Sequence, residues 1–306
     1  MFQPPSGGSP SSPLGANHLS ALDPLRSILY VPAHRSDLVP KAIRSGAEAV
    51  CLVLEDSVPQ DRKDEARRAL GSALKSLAEH RMPALIKLNP LGQGLREDLL
   101  SIDSPPPFGV IVPQLESADQ VREIDLLLAG SPIRMLLLIE TPRAAVCALD
   151  LAQASNRVWA LICAAAANGD MARATGIRAT PGGLERLYLR SKILLEARAA
   201  GVGALDGVYA RPADSEGLRA EATLCRQLGF DGKLCLTPAQ VEGVNQVFRP
   251  SPEELARARV IVDAFEQALA AGSASLVVDG EFVDYAIAAS AQQLLRGPDG
   301  AREPVP

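Results

Sequence analysis

The sequence predicts an α/β protein, a (β/α)8 TIM barrel followed by a C-terminal helix–hairpin–helix extension. Eight short apolar runs, rich in Val, Ile and Leu, recur between residues 26 and 238, and segments with helical periodicity separate them. The runs do not alternate with polar residues, which is typical of parallel strands covered on both faces. Alternating strands and helices imply parallel pairing through crossover connections, and eight such units favour a closed barrel.

The eight predicted strands follow one another along the chain. They are RSILYVPA (26–33), AVCLVLED (49–56), ALIKLN (84–89), GVIVPQ (109–114), MLLLIE (135–140), VWALICA (158–164), LDGVYA (205–210) and KLCLTP (233–238). Helical periodicity is clearest in DEARRALGSALKSLAEH (64–80) and ERLYLRSKILLEARAAG (185–201). An open doubly wound sheet would be expected to carry a Gly-rich phosphate turn after its first strand, whereas the first turn here reads PAHRSDL.

Three further elements are predicted after the eighth strand. The segment SPEELARARVIVDAFEQALAAG (251–272) has a Ser N-cap, an acidic first turn and a terminal Gly, which together predict a helix. The segment SLVVDGEFVD (275–284) predicts a hairpin around its Asp-Gly pair. A closing helix, AIAASAQQLLR (286–296), precedes a polar tail.

These patterns divide the chain into four parts: a leader (1–24), the barrel (25–250), the extension (251–296) and the tail (297–306). The Pro, Ser and Gly content of the leader predicts disorder. The extension is too small to fold alone. We therefore expect it to cap the barrel or to reach a neighbouring subunit.

Composition excludes several classes of protein. The chain has 306 residues, a net charge of −5 and no basic run, so nucleic acid is not an expected partner. No apolar run reaches the roughly 18 residues of a membrane span, and the N-terminus lacks the pattern of a secretory signal. The five cysteines include no CxxC pair, which favours a reduced protein. We predict a cytoplasmic enzyme.

The strand run that contains LLLIETPR ends at a carboxylate, Glu140. Chemistry in a (β/α)8 barrel takes place where the strands end, and Asp170 follows the next strand, so these two acids are candidate oxygen ligands for Mg²⁺ or Mn²⁺. A divalent cation would balance a partly buried carboxylate. Spacing alone leaves an alternative open, because acids at strand ends also cap the following helices.

Several segments match one known family in the right order. They are LYVPAHRSDLVPKAI, LEDSVPQDRKDEAR, KLNPLG, VPQLES, LIET, GDMARATG, DGVY, LGFDGKLCLTPAQVEGVNQVFRPSPEE and VDGEFVD. The chain resembles the HpcH/HpaI aldolase and citrate lyase β-subunit group, and within it the citrate lyase β-like acyl-CoA lyases, from about residue 26 to residue 296.

The resemblance implies a metal-dependent lyase that forms a homo-oligomer, at least a trimer. It implies that Glu140 and Asp170 ligate Mg²⁺ and that Glu55 orders the waters of the metal. Lys87 would contact the bound carboxylate or keto acid. Asp284 would enter the active site of an adjacent subunit, which would give the extension a function.

The implied substrate is a 3-hydroxyacyl-CoA such as citryl-, malyl- or citramalyl-CoA, or a small keto acid. Asp284 is the candidate acid/base, with a pKa tuned by partial burial. Among the three histidines, His18 lies in the leader and His80 closes a helix, which leaves His34 as the alternative base.

Basic residues at the barrel mouth bind the CoA phosphates in the family. Arg35, Lys63 and Arg67 are the candidates for this function in the present sequence. The alternative for each is a solvated charge on a loop or helix surface.

The sequence departs from the family pattern at five positions. Gly169 replaces an acid, Lys87 an Arg, Gln114 a Lys, Thr237 a His and Val53 an Asp. Lysine lacks the planar fork with which arginine grips a carboxylate. Because the Glu140–Asp170 pair is retained, we expect altered substrate preference rather than lost activity.

Two other functions remain open at this stage. The chain could be a 2-keto-3-deoxy acid aldolase that works without CoA. It could also be a catalytically weak paralogue that binds an acyl-CoA or a partner subunit.

Overall fold

The computed structural model describes residues 25–103, 105–180 and 182–296. Eight parallel strands close into a barrel in chain order, which confirms the predicted fold class. They are β1 (Ser27–Pro32), β2 (Ala49–Val53), β3 (Ala84–Lys87), β4 (Gly109–Val112), β5 (Arg134–Ile139), β6 (Val158–Cys163), β7 (Gly203–Asp206) and β8 (Gly232–Cys235). The predicted leader, with His18, and the predicted tail lie outside the described residues.

The barrel closes where β8 pairs with β1, with Leu29 opposite Cys235. Gly232 begins β8 at a point of close backbone approach. A Cβ atom at this position would lie 2.2 Å from the carbonyl oxygen of Leu25. Only glycine fits there without displacing the backbone, so this residue permits the closure.

Helices separate the strands, as the periodicity predicted. They are α1 (Val39–Ile43), α2 (Lys63–Glu79), α3 (Leu95–Leu100), α4 (Ala118–Leu127), α5 (Pro142–Val146), α6 (Ala148–Gln153), α7 (Asp170–Thr175), α8 (Leu187–Ala200), α9 (Ser215–Leu228) and α10 (Pro238–Phe248). A capping box formed by Ser117 with Gln120 begins α4. Before α10, the Gln240 side chain accepts hydrogen bonds from the backbone N–H groups of Leu236 and Thr237. Both arrangements satisfy backbone N–H groups near a helix start.

Strand periodicity sorts side chains between the barrel interior and the layer under the helices. Ile86 and Leu88 are fully buried members of the large core that packs beneath the helices. Because successive side chains of a strand point to opposite faces, Lys87 between them points into the barrel. A lysine in this position brings charge to the carboxyl end of the strands, where a binding site is expected.

Contacts divide the chain into two compact units, and the first ends at Arg249. The second unit contains α11 (Pro252–Ala270), β9 (Leu276–Val278), β10 (Glu281–Val283) and α12 (Tyr285–Arg296). Asp279 and Gly280 both have positive φ angles, 49° and 84°, as the two-residue turn of the predicted hairpin requires. The unit has its own apolar cluster, in which the rings of Phe265 and Tyr285 meet edge to face at 5.1 Å.

Among the helices of the described residues, none has both the length and the apolar composition that crossing a membrane requires.

Candidate active site

Glu140 follows the last residue of β5 at the mouth of the barrel and is 6% exposed. Its Oε1 atom accepts a hydrogen bond of 3.0 Å from the backbone N–H of Gln114, which lies just beyond β4. Burial raises the pKa of Glu140 to about 7; Lys87 lowers that pKa, and the nearby carboxylate of Glu55 adds to the rise. An ionised Glu140 is therefore short of positive charge, which a cation would supply.

Asp170 is the first residue of α7, in the loop that follows β6. Its Oδ2 atom accepts a hydrogen bond of 2.8 Å from the side-chain amide of Gln114. Its Oδ1 atom lies 2.8 Å from the guanidinium of Arg173, whose side chain is 79% exposed. Gln114 therefore contacts both predicted metal ligands, Glu140 through its backbone and Asp170 through its side chain.

Gln114 itself has a left-handed backbone conformation, with φ of 55°. This region costs a residue with a Cβ atom about 1 kcal/mol or more, and glutamine is not among the residues that favour it. In the sequence, Gln114 is identifiable as a residue at the end of the fourth strand and as a departure from the family pattern. The bridge cannot be read there, because nothing in VPQLES signals a left-handed residue and the two partners are 26 and 56 positions away.

Lys87 and Glu55 form a buried ion pair beside these acids. The Lys87 ammonium contacts Glu55 Oε2 and lies 4.0 Å from Asp56 Oδ2. Burial alone would lower the pKa of Lys87, but the Glu55 and Glu140 carboxylates overcome it and raise that pKa above its ordinary value. Burial raises the pKa of Glu55, although Lys87 opposes the rise. The structure thus brings together four of the predicted residues: Glu55, Lys87, Glu140 and, through Gln114, Asp170.

Lys63, a candidate for CoA binding, donates three hydrogen bonds within the protein. Its Nζ atom lies 2.6 Å from Leu54 O, 2.9 Å from Glu55 O and 2.7 Å from Asn89 Oδ1. These bonds use all three N–H groups of the ammonium. In this structure Lys63 joins the ends of β2 and β3 and fixes the backbone that carries Glu55.

The other two candidates for CoA binding differ in their surroundings. Arg67 donates to Asp98 Oδ1 at 2.8 Å and to Asp64 Oδ1 at 2.9 Å, and Asp98 is fully buried. Arg35 pairs with Asp37 at 2.8 Å, and both side chains are exposed. Arg35 is therefore the candidate whose charge a solvent-borne ligand reaches most easily.

Asp284 belongs to the C-terminal unit, directly after β10. Its Oδ1 atom accepts hydrogen bonds from the backbone N–H groups of Ala286, at 2.9 Å, and Ile287, at 3.1 Å. Within its own chain Asp284 thus acts as a cap at the start of α12.

The structure also locates three other departures from the family pattern and the alternative base, His34. Gly169 is the residue before α7, Thr237 caps α10, and Val53 is a buried residue of β2. His34 lies between β1 and α1, and burial and the nearby Arg62 lower its pKa. In the described part of the chain, none of these residues is hydrogen-bonded to or ion-paired with Glu55, Glu140 or Asp170.

The donor atoms of the site fit a hard divalent cation. In the described part of the chain no group of three or more His, Cys, Asp and Glu side chains forms a metal cluster. Glu140 and Asp170 would thus supply two carboxylates, and water and substrate would fill the other positions, as Mg²⁺ prefers. The described residues place no hydrogen-bond donor on Glu140 Oε2, which leaves that oxygen available to a cation.

Known proteins resemble this chain across nearly its whole described length. The family model for HpcH/HpaI aldolase/citrate lyase matches residues 26–238. A citrate lyase subunit beta-like protein of Deinococcus radiodurans is 36% identical over 277 residues, covering 89% of this chain and 96% of that protein. A (3S)-malyl-CoA thioesterase of Cereibacter sphaeroides is 33% identical over 276 residues, covering 89% of this chain and 94% of that protein.

Solved structures agree with the sequence matches. The protein CitE from Mycobacterium tuberculosis, in complex with magnesium, acetoacetate and coenzyme A, has a TM-score of 0.73 and 31% identity. That match covers 90% of this chain and 98% of the CitE chain. The family predicted from the sequence motifs is confirmed. The chain belongs to the HpcH/HpaI aldolase/citrate lyase family and is a citrate lyase β-subunit-like enzyme.

Proposed function

We propose that the chain is a Mg²⁺-dependent carbon–carbon lyase that cleaves, or in reverse condenses, a 3-hydroxyacyl-CoA such as citryl-, malyl- or citramalyl-CoA. The observation that carries the proposal is the contact of Gln114 with both Glu140 and Asp170, which gathers two carboxylates at the barrel mouth. A similar solved protein, CitE, is in complex with magnesium, acetoacetate and coenzyme A, which supports the same ligand classes here.

A Mg²⁺ ion held by Glu140 and Asp170 would supply Lewis acidity to the substrate oxygens. Lys87 lies beside these acids. Its side-chain pKa is raised, so the group is a positively charged ammonium. We assign Lys87 to the carboxylate of the keto-acid portion of the substrate. Glu55 pairs with the ammonium and would also order water at the site.

Cleavage requires two proton transfers. A base takes the proton of the 3-hydroxyl group as the bond between the hydroxyl-bearing carbon and the thioester α-carbon breaks. The hydroxyl-bearing carbon becomes a carbonyl group, a ketone from citryl- or citramalyl-CoA and an aldehyde from malyl-CoA, and the electron pair of the bond leaves with the thioester as its enolate. An acid then protonates the α-carbon to give the acyl-CoA. We assign this acid/base function to Asp284 of a neighbouring subunit, as the family resemblance implies.

This assignment makes the assembly part of the mechanism. The C-terminal extension (251–296) would deliver Asp284 to another copy of the chain, in a homotrimer or a larger homo-oligomer. Within its own chain, the Oδ1 atom of Asp284 accepts hydrogen bonds from two backbone N–H groups. The described residues place no hydrogen-bond donor on Oδ2. That second oxygen is the one we propose for proton transfer. We propose a cytoplasmic location for the assembly.

CoA binding is assigned mainly to Arg35. Its guanidinium is exposed and its partner Asp37 is exposed as well, so a phosphate can compete for it at small cost. Lys63 and Arg67 would act on CoA binding indirectly, by holding the strand ends around Glu55 and Asn89.

The direct test incubates the full chain with a panel of 3-hydroxyacyl thioesters, with Mg²⁺ or with a chelator, and measures acyl-CoA and keto acid release. We expect Mg²⁺-dependent cleavage that is abolished in Glu140→Ala and Asp170→Ala. The matched control is Glu116→Ala, which removes an exposed acid from the loop that follows β4 and should leave the rate unchanged.

Two results would contradict the proposal. Pyruvate release from 2-keto-3-deoxy acids, with no action on any thioester, would indicate a CoA-independent aldolase. Tight binding of thioesters without turnover would indicate a binding paralogue.

A further inference from the structure

A second group of charged side chains, separate from the residues of the proposed site, is buried between the last two strands and the helices that cover them. The group consists of Arg186, which precedes α8, with Arg190 on α8, Asp206 at the end of β7, Glu221 on α9 and Lys233 on β8. All five are less than 9% exposed. None of them has a function in the proposed reaction.

Glu221 lies at the centre of this buried charge network. Its Oε1 atom accepts from Lys233 Nζ at 2.9 Å, and its Oε2 atom lies 3.2 Å from Arg190 Nη2 and 2.7 Å from Arg186 Nη1. Asp206 pairs with Arg190 at 3.0 Å and contacts Lys233. Buried ion pairs of this kind contribute little net stability compared with apolar packing, because each charge must be desolvated. Stability alone therefore does not explain why these charged side chains are buried here.

Arg186 connects the network to the loop that carries Asp170. The same Nη1 atom that donates to Glu221 also donates to the carbonyl oxygen of Ala165, at 3.1 Å. Ala165 lies in the loop 164–169, between β6 and α7. One atom of Arg186 thus joins a buried carboxylate to the backbone five residues before the proposed metal ligand.

The side chains of the loop 164–169 offer few polar groups that could hold it in place. It reads AAAANG, so Asn168 has its only polar side chain. Its path depends on backbone hydrogen bonds, such as that from Ala164 N–H to Ile139 O at 3.1 Å, next to Glu140. The bond from Arg186 holds the following residue, Ala165, through its carbonyl oxygen. These two bonds tie the start of the loop to the end of β5, next to Glu140, and to the buried charge network.

We propose that Arg186 is a positioning residue for the acidic site: anchored by Glu221, it fixes Ala165 and thereby the placement of Asp170 opposite Glu140. The consequence for metal binding rests on the proposed function, whereas the anchoring of the loop does not. Residues that orient metal ligands from outside the coordination sphere commonly change metal affinity when replaced.

The experiment compares Arg186→Met and Arg186→Lys with a matched control, Arg190→Lys, in the full chain. Arg190 also pairs with Glu221, and with Asp206, but makes no contact with the loop among the described residues. The Arg186→Lys variant keeps the charge, but a single ammonium cannot reproduce the geometry of the guanidinium fork. The Lys variant also provides a measurement if the Met variant fails to fold.

Two quantities are measured: amide hydrogen exchange of the loop 164–169 in metal-free protein, and Mn²⁺ affinity from the paramagnetic resonance signal of the free ion. We expect both Arg186 variants to exchange faster in the loop and to bind Mn²⁺ about tenfold more weakly. Arg190→Lys should lower the melting temperature while leaving loop exchange and Mn²⁺ affinity within about twofold of the parent.

Unchanged loop exchange in the Arg186 variants would overturn the inference, as would an equal change in Arg190→Lys. Faster exchange with unchanged Mn²⁺ affinity would also overturn it, because Arg186 would then fix the loop without placing Asp170. A parent protein that binds no Mn²⁺ would instead refute the proposed function. Faster loop exchange in the Arg186 variants would in that case still establish the anchoring of the loop.

Discussion

Gln114 and Asp170 are joined by a hydrogen bond of 2.8 Å between the side-chain amide and Oδ2, while the backbone N–H of Gln114 holds Glu140. One left-handed residue thus contacts both acids that the sequence marks as metal ligands. The amide side chain is neutral, so it orients Asp170 without competing with a cation for the carboxylate, as a lysine ammonium would. We therefore expect the departure from the family pattern at this position to be compatible with metal binding.

Replacing Gln114 by Gly separates backbone strain from the orientation of Asp170. Glycine adopts φ of 55° without steric cost, which offsets the flexibility it adds to the unfolded chain. We expect the free energy of unfolding to change by less than about 1 kcal/mol. Mn²⁺ affinity should fall by about tenfold, because Asp170 loses its donor.

The control for this variant is Arg81→Gly, at another left-handed residue, with φ of 53°, which follows α2. It should change stability by a similar amount and leave Mn²⁺ affinity unchanged. Calorimetric titration with Mn²⁺ and urea denaturation measure the two effects. Equal metal affinity in the parent and in Gln114→Gly would show that Asp170 needs no help from the amide.

Glu140 should make the metal-free protein less stable as the pH rises. Burial raises its pKa from 4.5 to about 7, so between these values the folded protein holds a proton that the unfolded chain releases. The contribution of this proton to stability is complete below about pH 4.5 and is lost as the pH rises through about 7, a decrease of about 3 kcal/mol.

The variant Glu140→Gln, which resembles the protonated side chain, should therefore be more stable than the parent at pH 8 in a chelator and similar to it near pH 5. Urea denaturation at both pH values tests this. Mg²⁺ added at pH 8 should stabilise the parent and not the variant. A parent and variant with the same pH dependence would show that Glu140 titrates normally.

The Lys87–Glu55 pair should be costly to break from one side. Lys87→Met leaves a carboxylate that is 8% exposed without its nearest cation, which we expect to cost about 3 to 5 kcal/mol. The double variant Lys87→Met/Glu55→Gln should recover much of that loss, because no unpaired charge remains at either position. Urea denaturation of the two single variants and the double variant measures the coupling. Strictly additive losses would show that the two groups do not depend on each other.

Asp284 has a structural function in its own chain and a proposed chemical function in a neighbour. Asn caps helices about as well as Asp, so Asp284→Asn should leave the melting temperature close to that of the parent, whereas Asp284→Ala should cost about 1 kcal/mol. Both variants lack the acid and should lower kcat by about 100-fold or more. Normal turnover in Asp284→Asn would restrict Asp284 to capping α12.

Local sequence was sufficient for the fold. Strands such as AVCLV and GVIV are continuous apolar runs because both of their faces are buried, and this composition can be read without knowing their neighbours. The Asp279–Gly280 turn and the Ser251 cap likewise depend on residues within a few positions of each other. Parallel strand order then brings Glu55, Lys87 and Glu140 to one end of the barrel.

The sequence by itself determined a barrel of eight strands, its family and the acids at its strand ends. Only the tertiary structure decided how the site is held together: that Gln114 bridges two acids, that Lys63 donates to Asn89, and that Arg186 reaches Ala165. Each of these contacts joins residues between 20 and 60 positions apart. Their geometry depends on how strands and helices pack, and no local pattern of side chains records it.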